Sequence, residues 1–186
     1  MLSEDDGSAR WVEAGLAELA EGGIERVRVE VVAERLGVTK GGFYRRFKDR
    51  RALLDAILDT WSKGRIEAIN QQLALGEATP AERLRAVIKL YSERVNAQGM
   101  AIELAIRQWA RTDKMAGEAV ARVDAERLAR VEGLYARMGL VSEAARARAV
   151  LFYSFIFGQS LLFLDQPPRK RASLIAACSD ALTDMA

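Results

Sequence analysis

Val29 to Phe47 reads VEVVAERLGVTKGGFYRRF, and the fold turns on this stretch. Val29, Val32, Ala33 and Leu36 fall at i, i+3, i+4 and i+7, the spacing of one apolar helix face. Gly37 follows at once, where a chain leaving a helix needs a left-handed residue. Val38 is an apolar plug in the turn, and Thr39 is placed to cap a second helix. Phe43 and Phe47 lie four apart and point back to the same small core, which leaves Lys40, Gly41, Gly42, Tyr44 and Arg45 on the outer face. Small Ala33 lets the two helices cross closely. The pattern predicts a helix-turn-helix, with a second helix over about Lys40–Phe47.

Charge points the same way. Thr39–Arg51 holds six basic residues (Lys40, Arg45, Arg46, Lys48, Arg50, Arg51) against Asp49 alone, a local net of +5 in a chain whose total is +2. Such a patch suits phosphate, because displaced counterions drive association. Up to Gly23, by contrast, Arg10 stands against six acids, a net of −5. That speaks against a DNA-gripping N-terminal arm and leaves groove contact to the helix-turn-helix.

The continuation sharpens the reading. Thr39-Lys40-Gly41-Gly42-Phe43-Tyr44, then Phe47-Lys48-Asp49-Arg50-Arg51-Ala52-Leu53-Leu54, resembles the signature of the tetracycline-repressor (TetR) family of bacterial regulators, over about Trp11–Leu58. The resemblance implies that Tyr44 and Lys48 touch phosphates. Where Arg28 stands the family usually has threonine or serine, which caps the helix and touches phosphate. Arg28 loses that cap, worth about 1 kcal/mol, but still reaches toward phosphate. Base reading falls to Lys40, Tyr44 and Arg45, since Gly42 has no side chain. Gly41 and Gly42 cost the second helix roughly 1 kcal/mol each against alanine, but let the backbone approach base edges. The expected DNA-binding set is Arg28, Thr39, Lys40, Gly41, Gly42, Tyr44, Arg45 and Lys48.

Composition bounds the rest. The chain has 186 residues, half of them hydrophobic, with three prolines and no long alternating run. The expectation is an all-α fold of about nine helices: a three-helix helix-turn-helix head over 1–50 and a helical ligand-binding and dimerisation body over 51–186. The single Cys178 forms no internal disulfide, and an acidic Met1–Gly7 is no secretory signal, so a cytoplasmic protein is expected. There is no histidine. This removes the Ser-His-Asp, Cys-His and zinc arrangements as usually built, and no phosphate-cradling glycine loop appears. No catalytic residue, metal or cofactor is expected, and the chain reads as a non-enzyme.

Along the chain, a first helix is expected over Ser8–Glu21 with Val12, Leu16, Leu19 and Ala20 buried. Asp49 caps a helix running to about Leu75, burying Leu53, Leu54, Ile57, Leu58 and Trp61. Pro80 opens a helix carrying Leu84, Val87, Ile88, Tyr91 and Val95 to near Gly99. Further helices are expected over Met100–Arg111, Lys114–Met138, Ser142–Leu164 and Arg169–Met185. Ala149–Leu164 carries no charge, but is too short for a confident membrane span and includes Ser154, Gln159 and Ser160. Burial between helices or subunits is expected instead.

Tyr91, Met100, Trp109, Phe152 and Phe155 are candidates to line a ligand cavity, although aromatic and methionine residues at helical spacing are more often plain core. Glu103 and Arg107 would anchor a polar ligand group, against the commoner outcome of a surface i, i+4 pair. Leu151, Phe157, Gly158, Leu161, Leu174, Ile175, Cys178 and Leu182 form the expected homodimer face, where Ala176, Ala177 and Ala181 permit close approach. The resulting expectation is a homodimeric regulator, a repressor, that binds an inverted-repeat operator in double-stranded DNA. A small hydrophobic or aromatic ligand of unknown identity releases it. One alternative is a ligand-independent DNA-binding protein whose body docks a protein partner. Another is a helical enzyme with an accidental helix-turn-helix match.

Overall fold

A computed structural model describes residues 4–73, 78–92, 97–162 and 167–184. Among them are nine α-helices and no strand: α1 (Glu4–Gly22), α2 (Val29–Leu36), α3 (Lys40–Tyr44), α4 (Arg50–Leu73), α5 (Pro80–Ser92), α6 (Ala97–Trp109), α7 (Lys114–Arg137), α8 (Ser142–Leu161) and α9 (Pro168–Thr183). The fold is all-α, with the helix-turn-helix near its N-terminus. No helix is long and apolar enough to cross a membrane among the described residues.

The chain forms two compact units. The first comprises residues 1–65 and 97–123, the second residues 66–96 and 124–186. This geometric division differs from a cut at residue 50, because α6 packs against α1 and so joins the first unit.

In the first unit, α1 begins at Glu4, earlier than expected, and buries Trp11, Val12, Ala14 and Leu19. Leu16 and Ala20 are only half-buried. Glu18 is buried as well, at 2% exposure. It accepts from Arg26 Nε at 2.7 Å and from Arg35 Nε at 2.6 Å, so α1 is tied to the turn before α2 and to α2 itself. Burial works to raise the Glu18 carboxyl, but those two hydrogen bonds outweigh it and hold it below the usual carboxylate range. Leu53, Leu54, Ile57, Leu58 and Trp61 of α4 are all buried, as their spacing predicts. Asp49 Oδ1 accepts from the Ala52 amide at 2.9 Å and caps α4.

Glu103 on α6 departs from the expected surface pair. It does meet Arg107, at 3.0 Å, but it is 2% exposed and also faces Arg65 Nε at 3.3 Å. Arg65 in turn donates to the Gly99 carbonyl at 2.6 Å. Two guanidiniums thus compensate one buried carboxylate, which is the condition for burying it at all. Gly99 does not end the preceding helix. It is buried within α6, while α5 is described as far as Ser92 and Val95 lies outside the described residues.

The second unit is built on α5, α8, α9 and the second half of α7. Leu84, Val87, Ile88, Val131, Leu134, Tyr135, Ala145, Ala149, Phe152 and Ile156 form its core. Pro80 opens α5, and Thr79 with Glu82 makes a reciprocal cap. The Thr79 amide donates to Glu82 Oε2 at 2.7 Å, and the Glu82 amide donates to Thr79 Oγ1 at 3.3 Å. The Thr79 amide and hydroxyl together hold the Glu82 carboxyl below its ordinary range. Gly139, with φ 98°, closes α7. α8 ends at Leu161, not Leu164, and its uncharged run is not buried all round: Leu151 and Leu161 are each 57% exposed. α9 ends at Thr183, short of Met185, which lies outside the described residues.

Candidate nucleic-acid interface

The helix-turn-helix forms as its spacing requires. Val29, Val32 and Ala33 are buried, Leu36 is half-buried, and Gly37 turns the chain in the left-handed region with φ 65°. The Val38 amide donates to the Ala33 carbonyl at 3.0 Å, closing α2. Arg28 stands at the N-cap of α2 in extended conformation and makes no side-chain cap, as expected.

α3 differs from its sequence reading in two ways. It ends at Tyr44 rather than Phe47, although the Arg46 and Phe47 amides still donate to the Phe43 carbonyl at 2.8 and 2.9 Å. Two glycines in five residues explain so short a helix. Thr39 occupies the N-cap, but its hydroxyl makes no cap bond. The Gly42 amide donates instead to the Thr39 backbone carbonyl at 3.0 Å.

Aromatic packing fixes what propensity does not. Phe43 is fully buried, with its ring 5.5 Å from Phe47 and edge-on to Trp11 of α1 at 5.3 Å. Tyr44 meets the edge of Phe43 at 5.1 Å, yet is 62% exposed. The two glycines face differently. A β-carbon on Gly42 would meet Trp11 at 3.9 Å, whereas one on Gly41 would meet only the Thr39 hydroxyl, at 3.7 Å. Gly42 therefore lies toward the core, not on the outer face with Gly41.

The six basic residues do separate jobs. Arg50 donates through Nε to the Val27 carbonyl at 2.5 Å and through Nη2 to the Ile24 carbonyl at 2.7 Å, clamping the turn before α2 to the start of α4. Arg51 pairs with Asp55 at 2.8 Å and Asp113 at 2.6 Å. Arg46 reaches back to the Gly42 carbonyl at 3.0 Å. Lys40 Nζ sits 2.7 Å from Glu30 of α2. That pair holds the Glu30 carboxyl below its ordinary range, chiefly through the hydrogen bond from Lys40. Arg45 and Lys48 are exposed and make no ion pair among the described residues, and the same holds for Arg28. The outward-facing set is thus Arg28, Gly41, Tyr44, Arg45 and Lys48, with Lys40 tethered beside it. Glu30, Trp11 and Arg50 shape this surface too. No local spacing announces them, since their partners are 10, 32 and 23 or more residues away.

Residues 12–57 match the family model described as bacterial regulatory proteins, tetR family. The match covers the helix-turn-helix head, 46 of the 186 residues. It is 29% identical over 115 residues to the HTH-type transcriptional repressor KstR of Mycobacterium tuberculosis, a match covering 62% of this chain and 52% of that protein. The matched stretch thus spans about half the length of that relative. Among solved structures, a TetR-family transcriptional regulator from Agrobacterium tumefaciens has a TM-score of 0.78 at 12% identity, covering 98% of this chain and all of that one. Bacillus subtilis FadR in complex with stearoyl-CoA has a TM-score of 0.70 at 18% identity, covering 95% and 97%. At such identities these two likenesses establish a shared fold and nothing finer.

The remaining predicted site residues lie elsewhere. Met100, Glu103, Arg107 and Trp109 belong to the first unit, and Tyr91, Phe152 and Phe155 to the second. Trp109 and Phe152 are buried, while Tyr91, Met100 and Phe155 are half-buried. Of the expected dimer face, Leu151, Leu161 and Leu174 are exposed, and Phe157, Gly158, Ile175, Cys178 and Leu182 are intermediate.

Proposed function

We propose that this chain is a DNA-binding transcriptional regulator of the TetR family, acting as a homodimeric repressor that a small molecule releases from its operator. One observation carries the DNA reading. A five-residue helix held by three buried aromatic side chains presents Tyr44, Arg45 and Lys48 outward, with no acidic partner among the described residues to neutralise the two cations. Phosphates supply the missing charge, and Arg45 stands where a base edge would be read.

The homodimer rests on α8 and α9. Leu151, Ser154, Gly158 and Leu161 recur at three- and four-residue steps along α8, and Leu151, Ser154 and Leu161 are exposed. Leu174, Ala177 and Ala181 of α9 are exposed at the same kind of spacing. A second copy would cover this apolar surface and present two recognition helices to successive major grooves, roughly 34–36 Å apart.

Effector release is supported by FadR, a protein of the same fold that binds stearoyl-CoA. Candidate contacts are Tyr91, Phe152 and Phe155 in one unit, and Met100, Glu103, Arg107 and Trp109 in the other. The test is selection of bound sequences from random double-stranded DNA, followed by addition of a small-molecule cell extract. The expected outcome is an inverted repeat whose binding the extract weakens. Recovery of no preferred sequence would overturn the reading.

A further inference from the structure

The recognition helix α3 has five residues, two of them glycine, and its far end is closed in part by a side chain. In a continuing helix the Arg46 amide would donate to the Gly42 carbonyl, four residues back. It donates instead to the Phe43 carbonyl at 2.8 Å, and Arg46 Nη1 donates to the Gly42 carbonyl at 3.0 Å. We infer that Arg46 is a positioning residue for DNA binding, which holds the end of α3 that carries Tyr44 and Arg45. Gly7 of α1 is the gap that lets it do so. The consequence for DNA rests on the reading above, whereas the latch itself does not.

The surroundings of Gly7 carry the argument. A β-carbon there would overlap Arg46 Nε and stand 2.5 Å from Nη2 and 2.8 Å from Cζ. Non-bonded heavy atoms make their ordinary contacts at about 3.5–4.0 Å, so the guanidinium occupies the place where a side chain would stand. The backbone of Gly7 is helical, with no positive φ, and does not itself call for glycine. Glycine weakens a helix relative to alanine. The seat for Arg46 is what demands it.

Gly7 and Trp11 are four residues apart and share one face of α1. Trp11 meets the edge of the Phe43 ring at 5.3 Å, and a β-carbon on Gly42 would meet the Trp11 ring at 3.9 Å. α1 thus holds α3 at two points, with an indole against its middle and a seat for Arg46 at its end. Arginine suits the second point. Its planar fork reaches the Gly42 carbonyl through one nitrogen and leaves the others against α1. A side chain so engaged fixes the turn from Tyr44 to Lys48, and with it the direction in which Tyr44, Arg45 and Lys48 leave the surface.

The test begins without DNA, by amide hydrogen exchange on the full chain. Arg46→Ala should cut the protection of the Phe47 amide, which donates to the Phe43 carbonyl, about fivefold, the size of one hydrogen bond. Gly7→Ala should do the same, since its methyl displaces the guanidinium. Its melting temperature should not fall, because alanine is the better helix former. The double variant should lose no more protection than either single one. The DNA arm titrates the duplex recovered by selection and a scrambled duplex across a salt series. Both single variants should lower the preference for the selected duplex about fivefold and leave the salt slope unchanged. Unchanged Phe47 protection in either variant, or losses that add in the double variant, would overturn the latch. Preference that survives lost protection would overturn the positioning role. A salt slope reduced by about one unit in Arg46→Ala would make Arg46 a phosphate contact instead. Wild-type protein with no preferred sequence would sink the DNA reading and the positioning role together, whatever the exchange shows.

Discussion

Arg51, in the first turn of α4, bonds Asp113 at 2.6 Å, and Asp113 is also the residue that caps α7 by accepting from the Ala116 amide at 3.0 Å. One carboxylate therefore ties the helix that follows the helix-turn-helix to the start of a helix more than sixty residues later. The hydrogen bond from Arg51 comes first among the causes that hold the Asp113 carboxyl below its ordinary range, with the cap amide second.

These two roles separate by substitution. Asn keeps an oxygen for the cap but loses the charge, so Asp113→Asn isolates the ion pair. Asp113→Ala loses both and should be about 1 kcal/mol less stable than Asp113→Asn by urea unfolding. A group whose folded pKa is depressed contributes stability above its unfolded pKa and loses it as pH falls through the folded value. The advantage of wild type over Asp113→Asn should thus hold at neutral pH and shrink progressively below about pH 4. An advantage that grew on acidification would contradict the role given to Arg51.

The DNA-facing surface predicts two kinds of loss. Tyr44→Phe and Lys48→Ala should weaken binding to every sequence alike, because phosphate contacts position without specifying. Lys48→Ala should also flatten the salt dependence by about one unit of slope. Arg45→Ala should relax preference at particular base pairs, by about 1–3 kcal/mol. Binding to operator and scrambled duplexes across a salt series reads all three. Lys40 is the informative contrast. Its pairing with Glu30 means that Glu30→Gln should raise affinity for scrambled DNA by removing a carboxylate from the surface and releasing a cation.

The two glycines of α3 give opposite expectations. Gly41 is exposed and open, so Gly41→Ala should stabilise the head by up to about 1 kcal/mol while weakening operator binding, since its methyl stands where DNA approaches. Gly42→Ala points its methyl at Trp11 across an ordinary 3.9 Å contact, and should gain stability without losing DNA affinity. Thermal melting and operator titration of both variants check this. Equal DNA loss in the two would mean that the outer face of α3 is wrongly assigned.

Local periodicity made Val29, Val32, Ala33, Gly37, Phe43 and Phe47 readable in sequence, because each acts on a neighbour within one or two helical turns. The Asp49 cap and the buried face of α4 were readable for the same reason. Glu18 was not. Its spacing resembles a solvated acid, and only the fold brings Arg26 and Arg35 to it. Glu103 likewise reads as one half of a surface pair until Arg65, thirty-eight residues earlier, closes on it. The basic stretch was misleading as a sum: Arg50 and Arg51 serve carbonyls and carboxylates within the first unit, so fewer cations face outward than the local charge suggests. The uncharged run of α8 from Ala149 onward is legible only as a segment that needs cover, since lack of charge does not say which side meets a neighbour.

That side of α8 carries the last prediction. Leu151 and Leu161 are more than half exposed, and Leu162 and Leu174 are exposed as well. Fully burying one such side chain is worth about 1.5–3 kcal/mol relative to leaving it in water. A second copy covering this surface would recover that energy several times over, while Gly158, whose β-carbon position is open, and Ala177 would let the helices approach. Leu151→Arg should therefore give a monomer at micromolar concentration by light scattering, where the wild type is a dimer. Its helical content by circular dichroism should be unchanged, because Leu151 makes little of the monomer's own core. Operator binding should fall to that of a single half-site, while binding to scrambled DNA should change much less. Wild-type protein that runs as a well-folded monomer would sink the dimer. A Leu151→Arg variant that stays dimeric would move the interface to another face.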